Sequence, residues 1–348
     1  MLISGAALLR ALRVDSLSSW IVYGTSVVLG LYTQFFFVFV AAGHAVYVII
    51  TQGRGRTGVV ARYLAASLAG LAVFVPWIVV IVRNPSQSVG WTQTEQGLFS
   101  VATRWAGIVS RAFLDLGVSP GDSPRVKLLL LPPVGLLCLL VAYALYNLIR
   151  SAPRRVWLFV ATLAASAALP LLLLDVVLGK YYGTTRYILS STVGMQLAVA
   201  WLLSTRLDSA ASTTGRRVGW RLCALALVAG GIVSGLIWSR ATMWWNKVPD
   251  RYGDYSALAQ IVNRADRPLL CSYAGYAETQ VLCRLLDEKV RLQILPHAED
   301  PATGAGFSDV FLLGPSDSTR SRLEAACRVQ RAHSRAPLWK IERHSSSP

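Results

Sequence analysis

Lys180, Tyr181, Tyr182, Arg186 and Tyr187 put two cations and three phenols within eight residues. Such donors suit an anion with several oxygens. A guanidinium is a planar fork that can bind two phosphate oxygens, and Lys and Tyr add single donors. The same residue types also suit the edge of a membrane, where Lys and Arg at the end of a span snorkel to headgroups and Tyr joins the interfacial belt. Asp175 is the only acidic residue well inside an apolar run, and a carboxylate in that setting is a functional hypothesis by default. It lies five residues before Lys180, so pairing with Lys180 or Arg186, or contact with solvent, is expected in preference to catalysis. Asp115 and Asp122 are candidate bases on position alone. Tyr32, Gln34 and His44 are candidates to line a cavity, with a buried, hydrogen-bonded His44 as the plain alternative.

Other chemistries find little support. The five cysteines form no CxxC or Cys/His metal spacing, the four histidines are scattered, and no GxGxxG or P-loop is present, so no metal, cofactor or nucleotide site is expected. Cys271 and Cys283 could pair in an oxidising compartment, but an odd number of thiols favours plain buried cysteines.

The elements that must position these residues are mostly apolar. Of 348 residues, 54% are hydrophobic and 15% charged, against roughly 25% charged in a soluble domain, and mean hydropathy is +0.47. The net charge of +16 would suit nucleic acid, but its placement argues otherwise. The excess is +15 up to Val248 and only +1 from Pro249 onward, and it sits in short linkers between apolar runs. That is the pattern of cytoplasmic loops in a membrane protein.

Runs able to cross about 30 Å of hydrocarbon lie near 63–82, 128–149, 156–178, 188–203 and 220–238. The run Trp20–Ile50 exceeds one span. Keeping all four basic linkers (Arg10/Arg13, Arg54/Arg56/Arg62, Arg150/Arg154/Arg155, Arg206/Arg216/Arg217) on one side makes it an out-and-back pair, 20–33 and 34–50, turning near Gly30–Thr33. The loops 83–127 and 179–186 and everything after Arg240 then share the outer face. Leu98, Val101, Trp105, Ile108 and Ala112 recur at helical spacing, with Arg104 and Arg111 off the stripe. This predicts a helix near 96–114, lying in the membrane interface or packed on the protein's own outer face.

Past Trp244 and Trp245, candidate interface anchors, the composition becomes that of a soluble domain. Helices at 255–263, 277–286 and 318–329, the last capped by Ser318, alternate with strands at 268–273, 290–295, 310–313 and 338–341, which suggests a small α/β sandwich. The expected fold is an all-α polytopic membrane bundle over 1–245, with about seven spans plus a partial N-terminal helix, followed by an extracytoplasmic α/β domain over 246–348 and a frayed tail at Ser345–Ser347. Met1–Leu9 is apolar but too short to span, and it reads as the last turns of a helix that begins upstream.

Ser18–Ile49, "SSWIVYGTSVVLGLYTQFFFVFVAAGHAVYVI", with "YLAASLAGLAVFVPWIVVIVRN" and "TTRYILSS", resembles bacterial members of the dolichyl-phosphate-mannose-protein mannosyltransferase group. These are GT-C membrane glycosyltransferases related to the aminoarabinose transferase of lipid A. The resemblance implies transfer of a sugar from a polyprenyl phosphate to an acceptor at the outer face of a bacterial inner membrane. A carboxylate would serve as general base and cations would hold the phosphate. On that basis Arg186 first, then Lys180, Tyr182 and Tyr187, are candidates for the donor phosphate, the partners being the polyprenyl-phosphate-linked sugar and membrane lipid. The chain departs from the family at Gln34, where His is usual, and at Ser190 and Ser191, near which Pro is common. The family's acidic catalytic motif has no counterpart here, so the catalytic residue is unassigned. A truncated gene, a partner chain supplying that part, or loss of catalysis would each account for this. A multi-pass transporter and a non-catalytic membrane accessory protein are the alternatives.

Overall fold

A computed structural model describes residues 1–53, 55–83, 97–115, 124–180, 182–208, 214–240, 255–274, 276–296, 299–301, 306–325, 327–333 and 337–342. Tyr181, Asp122, Trp244, Trp245 and the Ser345–Ser347 tail lie outside these residues. The chain is mostly helical and divides into two compact units, one holding Met1–Leu116 and Arg125–Ser234, the other Gly117–Pro124 and Gly235–Pro348.

The first unit carries α1 (Leu2–Val14), α2 (Leu17–Thr33), α3 (Phe37–Gln52), α4 (Thr57–Arg83), α5 (Leu98–Arg111), α6 (Pro124–Ser151), α7 (Arg154–Ser166), α8 (Ala168–Leu178), α9 (Leu189–Asp208) and most of α10 (Thr214–Arg240), which runs on past Ser234 into the second. Four stretches are long and apolar enough to cross a membrane: Thr57–Arg83, Leu128–Ser151, Arg154–Leu178 and Thr214–Arg240. Their apolar side chains are largely exposed, among them Leu136 and Leu139 on α6 and Leu225 and Val228 on α10. Such a surface is stable against lipid, where each helix satisfies its own backbone.

The remaining expected spans take less simple forms. At 1.5 Å per residue α2 and α3 reach only about 25 Å, short of about 30 Å of hydrocarbon. They meet at Gln34–Phe36, slightly later than expected, with Gly30 under the Phe37 ring. Helix α9 is not among the four because Ser190, Ser191, Thr192 and Gln196 lower its hydropathy. It is an interior helix with Met195, Ala198, Val199 and Leu202 buried, and an interior helix has no need of an all-apolar surface. Gly194 lets it approach α7 so closely that a Cβ would stand 2.4 Å from the Ala164 nitrogen.

The long run over Arg154–Leu178 is broken at Ala167. Pro170 has no N–H and its ring collides with the carbonyl four residues back, which a straight helix cannot accommodate. The neighbouring buried polar groups are satisfied from α9. Ala168 N donates to Ser191 Oγ at 3.0 Å, and Ser166 Oγ donates to Ser190 Oγ at 3.3 Å.

The second unit contains α11 (Tyr255–Asn263), β1 (Pro268–Ser272), α12 (Tyr276–Cys283), β2 (Arg291–Ile294), β3 (Asp309–Leu313), α13 (Asp317–Glu324), β4 (Arg328–Arg331) and β5 (Leu338–Glu342). Its sheet has the order β2-β1-β3-β5-β4, parallel across β2-β1-β3 and antiparallel across β3-β5-β4. Two corrections follow. The expected helix 318–329 ends at Glu324, and Arg328–Arg331 is an edge strand pairing with β5. Its cap is Ser316, whose Oγ accepts from Thr319 N at 3.1 Å, not Ser318. The five cysteines are all free thiols: Cys271 is buried on β1, where burial pushes its pKa up to about 12, and Cys283 is exposed.

Candidate functional site

Asp175, near the end of α8, organises the cation-bearing loop. Its side chain is fully buried. An unpaired carboxylate in that position would be prohibitively costly, and the surrounding chain supplies donors to both oxygens. Oδ1 accepts from Tyr182 N at 2.6 Å and Gly183 N at 3.2 Å. Oδ2 accepts from Arg104 Nη2 at 2.5 Å, Trp105 Nε1 at 2.8 Å and Gly183 N at 3.2 Å. The expected pairing with Lys180 or Arg186, or with solvent, is therefore replaced by an ion pair to a residue 71 positions earlier. Gly183 must lack a side chain here, since a Cβ would lie 2.5 Å from Trp105 Cζ2 and 2.8 Å from Asp175 Oδ2.

Helix α5 brings Arg104 and Trp105 to this carboxylate. Val101, Trp105 and Ile108, one turn apart on one face, are buried against Ala167, Leu171 and Ile188. The stripe read from the sequence thus packs on the protein itself. Arg104 is off that stripe, yet its long side chain still reaches the carboxylate. Neither partner was legible in advance. The available signal was that a carboxylate inside an apolar run requires a cation, and the nearest cations in sequence were the wrong ones.

The loop beyond Gly183 is held from the other side by the turn between α2 and α3. Gln34 Nε2 donates to the Arg186 carbonyl at 2.7 Å, and the Phe36 ring lies 4.3 Å from that of Tyr187. Gln34 can be read in this light as a strap for the loop, a task its amide performs with a single donor. Arg186 is exposed, with its guanidinium 4.8 Å from the Tyr187 ring centre and Nη2 donating to the Tyr187 hydroxyl at 2.7 Å. Lys180 and Tyr182 are half-buried on the same loop.

The structure therefore gathers Gln34, Tyr182, Arg186 and Tyr187 at one place. Tyr32 turns toward α4, its hydroxyl donating to the Val73 carbonyl at 3.0 Å. His44 lies two turns deeper, buried beside Tyr23, with its Nδ1 3.2 Å from the Tyr23 hydroxyl and its ring stacked on Phe159. Asp115 sits past the end of α5, 3.9 Å from Arg111, and its N–H donates to Ser234 Oγ at 2.9 Å. No group of three or more metal-ligating side chains occurs among the described residues.

An exposed guanidinium next to a phenol, on a loop fixed at both ends, can hold an oxyanion at the ends of apolar helices without the cost of ordering a free loop. Asp175, surrounded by donors and shut from water, can position that loop but is not placed to take a proton from a substrate. Comparison with protein-family models, with curated proteins and with solved structures finds no match for this chain.

Proposed function

We propose that the chain serves a membrane glycosyltransferase of the GT-C type, handling a sugar carried on polyprenyl phosphate at the outer face of a bacterial inner membrane. In this reading α2, α3 and α9 span with the four longer stretches, making seven, and the C-terminal unit is extracytoplasmic. The Arg186 loop meets the donor phosphate, with Lys180, Tyr182 and Tyr187 as further donors. The observation that carries the reading is the capture of the Arg186 loop by Gln34 and Phe36. It supports a preorganised cation at the ends of apolar helices, where the phosphate of a membrane-dissolved donor would lie.

The chemistry required of such a site is stabilisation of charge developing on the leaving phosphate. No carboxylate described here is assigned as the base. The test is binding of a photoreactive polyprenyl phosphate to the full chain in proteoliposomes. Arg186→Ala should reduce labelling about tenfold or more, the loss of one or two charge-assisted hydrogen bonds, with Arg186→Lys in between and membrane insertion unchanged. Undiminished labelling of Arg186→Ala would remove the role.

A transporter is the second reading, favoured by the helix broken at Ala167, since interrupted helices often line transport sites. Flux of a polar solute in the same proteoliposomes, without labelling by the lipid, would select it.

A further inference from the structure

A second group of arginines lies at the opposite end of α2, about 25 Å away by helix length, in a cleft that the sugar-transfer reading does not use. The cleft is shallow and open to solvent, with a volume of about 360 Å³, and is lined by Arg13, Asp15, Arg56, Gly58, Val59 and Arg62. Its walls come from two corners of the chain, the turn between α1 and α2 and the start of α4. Asp15 makes the first corner. It adopts a left-handed backbone (φ 53°), which a short polar side chain tolerates, and Ser16 then caps α2 by accepting from Ser19 N at 3.3 Å.

The charges in the cleft do not balance. Asp15 is committed twice, accepting from Trp20 Nε1 at 3.0 Å and pairing with Arg62 Nη1 at 2.6 Å. Arg62 also donates to the Asp15 carbonyl at 3.3 Å. One carboxylate thus faces three guanidiniums. Among the described residues, Arg13 and Arg56 have no hydrogen-bond or ion-pair partner. The cleft opens at the N-terminus of the 27-residue helix α4, whose dipole adds to the positive potential.

We propose that this cleft binds a phosphate group, and that in the membrane the group is the headgroup of an anionic phospholipid. Arg13 and Arg56, which make no hydrogen bond among the described residues, stand beside a paired Arg62 in one cleft and supply the forked donors that phosphate oxygens accept. The lipid is favoured over a soluble phosphate because exposed apolar side chains begin within a turn of the cleft, Leu17 on α2 and Leu64 on α4. Acyl chains would lie along them. The role of the arginines is recognition, beyond the general preference of basic residues for one side of a membrane.

The test uses the purified full chain in a neutral detergent, titrated with short-chain phosphatidylglycerol, short-chain phosphatidylcholine or inorganic phosphate, with bound ligand counted by native mass spectrometry. Phosphatidylglycerol should bind at least about tenfold more tightly than either of the others. Arg13→Gln with Arg56→Gln should abolish that preference, as expected for the loss of two charge-assisted hydrogen bonds. Arg216→Gln, a single charge removed outside the cleft, should preserve it. Neither arginine belongs to the Arg186 loop, so failure here leaves the sugar-transfer proposal standing, and the reverse. Equal binding of inorganic phosphate would overturn the lipid assignment, and unchanged binding by the double variant would overturn the site.

Discussion

Asp175 and Asp15 are surrounded by the same two side-chain types and differ in everything else. Each accepts from a tryptophan indole, Trp105 or Trp20, and each pairs with an arginine, Arg104 or Arg62. Asp175 has no exposed surface and adds backbone N–H groups from Tyr182 and Gly183. The Asp15 side chain keeps 30% of its surface and Arg62 keeps 50%. The lesson is that a partner list does not measure an interaction. Where water can replace a lost donor, a pair of this kind is worth little, and where it cannot, the cost is that of a stranded charge.

Removing the carboxylates should widen the contrast most. Asp175→Ala strands the Arg104 guanidinium and two backbone N–H groups, and it should cost about 3–5 kcal/mol, read as a lower thermal midpoint in detergent and as new protease cleavage within 180–187. Asp15→Ala should cost less than about 1 kcal/mol. If the two variants unfold alike, the distinction drawn from burial is wrong.

The tryptophans sharpen the comparison, because phenylalanine keeps most of the ring and deletes only the indole donor. Trp105→Phe should lose about 1–3 kcal/mol by leaving a buried acceptor short of a partner, while Trp20→Phe should lose about 1 kcal/mol or less, water taking up the Asp15 oxygen. Gly183→Ala tests the same corner by crowding it. With a Cβ 2.5 Å from the Trp105 ring, the expected loss is about 1–3 kcal/mol, again with altered cleavage of the loop, whereas Gly58→Ala beside the Asp15 corner has room and should be silent.

The smallest effect is in pH. The Trp20 indole, with Arg62 beside it, holds the Asp15 carboxyl below the usual carboxylate range. A depressed folded-state pKa means that the stabilisation is complete above the unfolded value near 4 and fades as pH falls through the folded one. Acid titration of thermal stability should therefore show a slight loss below about pH 4 that Asp15→Asn removes.

Much of the architecture was legible because apolar length and charge placement are local properties. The helices over 57–83, 128–151, 154–178 and 214–240 follow from runs of Leu, Val and Ile between arginines. What escaped reading was decided elsewhere in the chain. Arg104 lies off its helix's apolar face, and only the packing of α5 on Leu171 and Ile188 reveals the carboxylate it serves. Ser190 and Ser191 read as departures from a family pattern, and their buried hydroxyls turn out to serve the break at Ala167. In the sequence Arg328–Arg331 reads as the end of a helix, because it has too few residues for its alternation to compete with the preceding helical run. Its pairing with β5, and not its own composition, makes it a strand.

The interruption at Ala167 has a mechanical consequence. Helix α8 and the segment returning to α9 are cross-tied at both ends, by Ala168 with Ser191 at the base and by Asp175 with Gly183 at the tip. A piece braced in this way cannot open like a flap. Any movement of the Arg186 region as a lever about Ala167 would draw α5 along through Arg104 and would have to release the Arg186 carbonyl from Gln34.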